Sequence, residues 1–241
     1  MSTRRAKQLI YGVLYLIILA LLVAAVYGIF RLLSPSAPVV APCTSNCMPV
    51  GADSIATTTV RTFITSPGHY TFLEQIANTN EDYAAEYFDY SIDFYNASGT
   101  VIQSIPGSSF IYANQTKYLV VPNQTVADPG VATGFTIKNV YWVSGDTLGA
   151  LPQFNVQNLQ TGATSGTVSV SGQITNGAIA TFKYVFVDVI FKGADGGPIG
   201  ATQTEIDNVG PGQTVPFSVF YPANAAINPA NSQPFVYGIK G

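Results

Sequence analysis

The sequence predicts a mainly β chain: an N-terminal transmembrane helix followed by two tandem β-sandwich domains of Greek-key type. Three observations lead there. Leu9 to Phe30 is an unbroken run of 22 residues without a charge. Beyond about residue 55 no 3.6-residue periodicity is sustained, and short apolar alternations bounded by Gly, Pro and Asn recur, which is the pattern of a sandwich or barrel. Within that region a set of landmarks appears twice, in the same order and at offsets of 97 to 100 residues.

Composition sets the frame for the first element. Of 241 residues, 47% are apolar and only 10% are Asp, Glu, Lys or Arg, against roughly 25% in an ordinary soluble domain. The formal net charge of -3 conceals an asymmetry: Arg4, Arg5, Lys7 and Arg31 precede every acid, and the remainder has six bases against all thirteen acids, a net of -7. Such an ectodomain lacks the clustered cations that neutralise phosphates, so nucleic acid is not an expected partner.

The apolar run would span about 33 Å as a helix, enough for a hydrocarbon core of about 30 Å. A cleaved secretory signal normally has a shorter core of about 7 to 15 residues ending in small residues. Here Arg31-Leu32-Leu33 follows instead, which favours an uncleaved anchor over residues 9 to 33. Three bases before the span and one after it place residues 1 to 8 in the cytoplasm and everything beyond the span outside, as a single-pass membrane protein. Tyr11, Tyr15 and Tyr27 suit the two interfaces, and no acid, amide or His within the span suggests an ion path.

Residues 34 to 54 follow as a stalk. Prolines at 35, 38, 42 and 49 deny it a helix and favour extended chain. Cys43 and Cys47, the only two cysteines, fall here, in a compartment that permits disulfides. They pair either within the chain as a small loop or between two stalks, tying chains into an oligomer. Two thiolates and the single His69 do not make a four-ligand zinc site, and a C-x3-C spacing in a Pro-rich linker is not a thioredoxin-type motif.

The repeat then divides the rest into 55 to 145 and 146 to 241. Gln75-Ile76-Ala77-Asn78 matches Gln173-Ile174-Thr175-Asn176, and a frame F-x-x-A-x-G-x-x-I runs from Phe94 to Ile102 and from Phe191 to Ile199. Gln115-Thr116 leads to Val121-Pro122 in one copy, as Gln213-Thr214 leads to Tyr221-Pro222 in the other, and Phe135 and Phe235 open the last strands. The frame reads as a hairpin, with Gly99 and Gly196 available for positive φ, and Asn78 and Asn176 suit a turn. Taking Phe94 and Phe191 as inward, alternation sends Phe88, Tyr90 and Ile92 to one core and Val185, Val187 and Val189 to the other.

On Gly172-Gln-Ile-Thr-Asn176, on Phe191 with Ala194-Asp195-Gly196, and on Pro211-Gly212-Gln-Thr-Val-Pro-Phe217, the second copy resembles the FxLYD family and, more distantly, the water-stress-response (WHy) domains. The first copy keeps Asn78, Phe94-Tyr95 and Gly99 but lacks the glycine before its turn and the Pro-Gly before Gln115. The resemblance, over roughly three quarters of the chain, implies immunoglobulin-like Greek-key sandwiches on a secreted or anchored protein serving as binding or spacer modules. It carries over no catalytic residue.

The remaining constellations point to no chemistry. Glu74, Glu81, Asp82, Glu86, Asp89 and Asp93 lie close together without a base, but no D-x-D-x-D-G calcium loop occurs, so they read as a solvated strand face with Asp89 and Asp93 outward. His69 sits in a loop-like Ser-Pro-Gly-His-Tyr, and no G-x-S-x-G or phosphate-cradling glycine loop is present, so no catalytic, cofactor or metal site is expected. Sequons at Asn96, Asn114 and Asn123 would matter only in a glycosylating cell. On the second copy, Phe182, Tyr184, Phe186 and Ile190 form an outward face too apolar for water. It is either covered by the chain's own second layer or presented to a protein or glycan partner. The expected role is that of an anchored surface protein with structural, adhesive or binding duties and no catalysis. The alternative is a pilin-like filament subunit whose apolar helix packs in a fibre core, although such a helix usually bears an acid near its mature start.

Overall fold

The computed structural model describes residues 51–224 and 226–240, with Ala20, Met48 and Pro49. The chain divides into Met1–Ala41 and a compact unit Pro42–Gly241. The anchor read at Leu9 to Phe30 lies, except for Ala20, outside the described residues, as do Cys43 and Cys47. Among the described residues no helix is long and apolar enough to cross a membrane.

The compact unit is mainly β. Its first half contains β1 (Ala56–Thr57), β2 (Arg61–Ser66), β3 (His69–Asn78), β4 (Tyr83–Tyr95), β5 (Val101–Ile111), β6 (Gln115–Thr125) and β7 (Ala132–Ser144). One sheet centres on β3, with β1 and β2 along one edge and β6 along the other. The facing sheet has the order β5-β4-β7. A single turn of helix, α1 (Gly145–Leu148), leads into the second half, which contains β8 (Phe154–Ala163), β9 (Thr167–Asn176), β10 (Phe182–Lys192), β11 (Pro198–Val209), β12 (Thr214–Pro222) and β13 (Gln233–Lys240). Here the sheets are β8-β9-β12 and β11-β10-β13. All strand pairs are antiparallel, and the second half repeats the order of the first, with β8 alone on the edge that β1 and β2 share in the first half.

Each half closes around its own core, because alternation along the central strands turns every second apolar side chain inward. Phe88, Tyr90, Ile92 and Phe94 of β4 meet Phe72 and Ile76 of β3 and Leu119 and Val121 of β6. Val185, Val187, Val189 and Phe191 of β10 meet Val168, Val170 and Ile174 of β9 and Phe217, Val219 and Tyr221 of β12. The two β4–β5 and β10–β11 hairpins share one turn geometry. Gly99 and Gly196 take φ of 78° and 79°, and their N–H groups donate to the carbonyls of Asn96 and Gly193.

The turn before Gln115 explains how the first copy dispenses with Pro-Gly. Asn114 occupies the place of Gly212, and both are left-handed, at φ 51° and 67°, because Asn is the side chain that tolerates that conformation best. The glycine missing before the first turn has a packing counterpart. A Cβ on Gly172 would lie 3.0 Å from the ring of Phe217, whereas the matching pair in the first copy is Glu74 opposite the smaller Leu119.

Two expectations about exposure are corrected. Glu74 and Asp93 are buried, at 2% and 8%, so the acidic cluster is not a uniformly wet face. Glu74 shares its face of β3 with Phe72 and Ile76, and its Oε1 accepts from the backbone N–H and hydroxyl of Thr58 at 2.5 and 3.0 Å. Asp93 lies on the central strand β4 and accepts from Ser91 and Ser104 at 3.0 and 2.6 Å, so flanking hydroxyls replace water. Glu81 and Glu86 are exposed, and among the described residues no group of three or more acids, His or Cys could hold a metal.

Candidate functional site: the cleft between the two sandwiches

The outer face of β10 is mostly covered by the rest of the chain. A bulge between Phe182 and Tyr184 turns Phe182 into the second core, where it is fully buried against Phe154. Ile190 is 1% exposed and packs with Leu73 of β3, Val120 of β6 and Ala201 of β11. Phe186 lies against Ala84, Phe110, Tyr112 and Leu148, with its ring 6.3 Å from that of Phe110. Tyr184 is half-buried. Of the apolar stripe singled out from the sequence, Phe182 is thus covered by its own core and Ile190 by the first sandwich, while Phe186 and Tyr184 are partly covered and line the space between the two.

Hydrogen bonds fix the same junction. The Tyr112 hydroxyl donates to the carbonyl of Gly238 at 3.0 Å, the Tyr118 N–H donates to the Tyr237 hydroxyl at 2.9 Å, and Lys240 Nζ donates to the Leu148 carbonyl at 2.5 Å. The Tyr118 and Phe235 rings meet edge to face with centroids 4.8 Å apart.

This junction is not filled throughout. A cavity of about 250 Å³ opens between β5, β6 and β10, with the exposed Glu86 and Tyr87 at its rim and Tyr90, Phe110, Tyr184, Phe186 and Tyr237 among its lining. Two ionisable groups look into it. Lys117 shares its face of β6 with core residues Leu119 and Val121 and is 4% exposed. Asp188, on the outer face of β10, is 1% exposed. The Lys117 ammonium donates to Ser109 Oγ at 3.0 Å and lies 3.9 Å from the centroid of the Phe110 ring. Asp188 Oδ1 accepts from Gln203 Nε2 at 2.7 Å.

Removal from water dominates the protonation of both. It pulls the Lys117 ammonium down and pushes the Asp188 carboxyl up, while the attraction between them works in the opposite sense on each. Burial also pushes the Tyr90 hydroxyl up to about 12 and raises that of Tyr237, so both remain protonated at neutral pH. Chemically, the cleft offers one cation and one carboxylate in its interior, a second carboxylate, Glu86, at its rim, hydroxyl groups and aromatic faces.

The sequence did not single out Lys117 or Asp188, yet the repeat contains a signal that could have found them. The positions that match them in the other copy hold Val215 and Ser91, whereas the turn residues Asn78 and Asn176, and Gln115 and Gln213, are the same in both. Groups the fold needs twice appear twice; these two appear once.

His69, at the start of β3, is half-buried and does not line this cleft; its Nδ1 has no hydrogen-bond partner. Of the sequon residues, Asn114 and Asn123 are exposed, and Asn96 caps its hairpin by accepting from Ser98 and Thr100.

No protein-family model matches the chain, and no curated protein matches it in sequence. Among solved structures, the crystal structure of red sea bream transglutaminase is similar over 78% of this chain at 13% identity and a TM-score of 0.24. The chain spans only 31% of that protein's length, and a likeness of this degree carries no argument about fold or activity.

Proposed function

We propose that the chain is a single-pass, membrane-anchored surface protein, with residues 1 to 8 cytoplasmic and its two sandwiches outside as a non-catalytic structural and binding unit. The observation that carries this reading is the packing of the outer face of β10, through Ile190 and Phe186, against the first sandwich, which joins the sandwiches into one body rather than leaving two beads on a string. A fused body of this kind behind an extended stalk suits the display of a surface at a set distance from the bilayer. The charge-free run from Leu9 to Phe30, with bases ahead of it, supplies the anchor and its orientation. Membership of both halves in the FxLYD-like, immunoglobulin-like group belongs to the same proposal and rests on the shared Asn turn, the aromatic strand end and the glycine hairpin.

Alkaline carbonate extraction tests the anchor. The full chain is expected to stay with the membrane pellet, and a chain beginning at residue 34 to appear in the supernatant. Release of the full chain by carbonate would refute the anchor.

A further inference from the structure

The cleft between the sandwiches holds the only pair of ionisable side chains of opposite sign that is deeply buried at the junction among the described residues, and the fold does not require it. The position matching Lys117 in the second half holds Val215 and the position matching Asp188 in the first half holds Ser91, so each half closes its sandwich with one of the two charges missing. Buried ions in a protein are costly unless each is fully satisfied. Here the ammonium uses one of its three donors, on Ser109, and the carboxylate takes one hydrogen bond, from Gln203; neither is the other's hydrogen-bond partner. Both line a cavity of about 250 Å³, somewhat below the roughly 300–1,000 Å³ typical of drug-sized ligand sites and so suited to a smaller molecule.

We infer that this cleft is a binding site for a small zwitterion with an apolar body, of the class of a free hydrophobic amino acid. The carboxylate of such a ligand takes the unused donors of Lys117. Its ammonium takes the remaining acceptor capacity of Asp188, and its side chain lies among Phe110, Tyr184 and Phe186. The two charges attract each other, so what each lacks is hydrogen-bond partners, and this selects the class. A lone anion would use the spare donors of Lys117 and leave Asp188 short of donors, a lone cation would do the reverse, and an uncharged apolar molecule would leave both short. A dipolar molecule of zero net charge meets both needs and leaves the charge of the site unchanged. The exposed Glu86 and Tyr87 mark the entrance.

This inference is independent of where the chain resides in the cell, so its test does not touch the anchor. Isothermal titration calorimetry of the full-length protein would use L-phenylalanine and L-leucine, with 3-phenylpropionate and phenethylamine as analogues keeping one charge each. Saturable binding of an amino acid is expected, with both analogues weaker by at least about tenfold. Lys117→Met and Asp188→Asn should each weaken it by a similar factor, with the far-ultraviolet circular dichroism unchanged. The analogue series needs no variant, so it decides the matter even if one of these chains fails to fold. Absence of binding by both amino acids at millimolar concentration would overturn the inference. So would equal binding of the single-charge analogues, or binding indifferent to both substitutions.

Discussion

Asn78 and Asn176 show how a side chain read as a turn former becomes a structural bolt. Both are buried, and both accept through Oδ1 from the N–H two residues on, Asn80 and Ala178. Their amide nitrogens reach across to the opposite connection. Asn176 Nδ2 donates to the carbonyls of Ala180, Val209 and Gly210 at 2.8, 3.1 and 3.1 Å, and Asn78 Nδ2 donates to those of Tyr83 and Tyr112 at 2.8 and 2.9 Å. Gln115 and Gln213 complete the device by accepting from the N–H of Tyr112 and of Gly210. Asn176→Ala leaves several buried polar groups without partners and should cost about 2–4 kcal/mol in urea unfolding, whereas Ser165→Ala in an exposed bend should cost under about 0.5 kcal/mol. Sequence alone marked the two asparagines because they recur, but not their burial, since a polar residue beside a turn reads as solvated. Glu74 was misplaced for the same reason. Burial raises its carboxyl above the ordinary 4.5, and its Oε2 has no hydrogen-bond partner. The folded chain therefore keeps a proton that the unfolded chain releases. The stabilising contribution is complete below pH 4.5 and is lost as pH rises through the native-state value. Glu74→Gln should remove that decline, read as a flatter plot of unfolding free energy against pH.

Among the elements, β10 departs furthest from a simple sandwich strand. Its inner residues were legible from strict alternation, and Val185, Val187, Val189 and Phe191 all lie in the second core. Its outer residues were legible only as too apolar for water; what covers them depends on contacts between residues far apart in sequence. Phe182 fell on the wrong face of the pattern because one bulge shifts the period by a residue. Similar irregularities occur where left-handed asparagines sit: Asn123, Asn139 and Asn158, at φ 50°, 46° and 52°, fall at register shifts in β6, β7 and β8. Single-sequence alternation does not reveal these, because an Asn on an exposed strand face looks the same as an Asn in a bulge. Ile190 ties β10 to β3 and β6, so Ile190→Ala should cost about 2–5 kcal/mol. The loss should fall on the coupling between the sandwiches, which differential scanning calorimetry would read as one endotherm splitting into two. A single endotherm shifted as a whole would place the loss within the second core instead.

At the scale of the molecule, two halves of one pattern become a unit whose asymmetry lies at their junction. The duplicated features are those that close turns and fill cores. The unduplicated ones, Lys117 and Asp188, gather in the cleft. The scarcity of charge in the sequence follows from this architecture together with the proposed anchor. An uncharged membrane segment needs bases only at its ends, and a β-rich body with Thr, Ser, Asn and Gly on its surface keeps a net of -7 beyond residue 31. A pilin-like filament would require processing of the N-terminus, and mass spectrometry of the mature chain retaining Arg4 and Arg5 would exclude it. The most direct measurement of the central claim is protease treatment of intact cells, followed by detection of both ends of the chain. An anchored protein with its sandwiches outside predicts loss of the region beyond residue 51 and survival of a membrane-embedded N-terminal fragment. Protection of the sandwiches in intact cells, with digestion only after the membrane is opened, would contradict it.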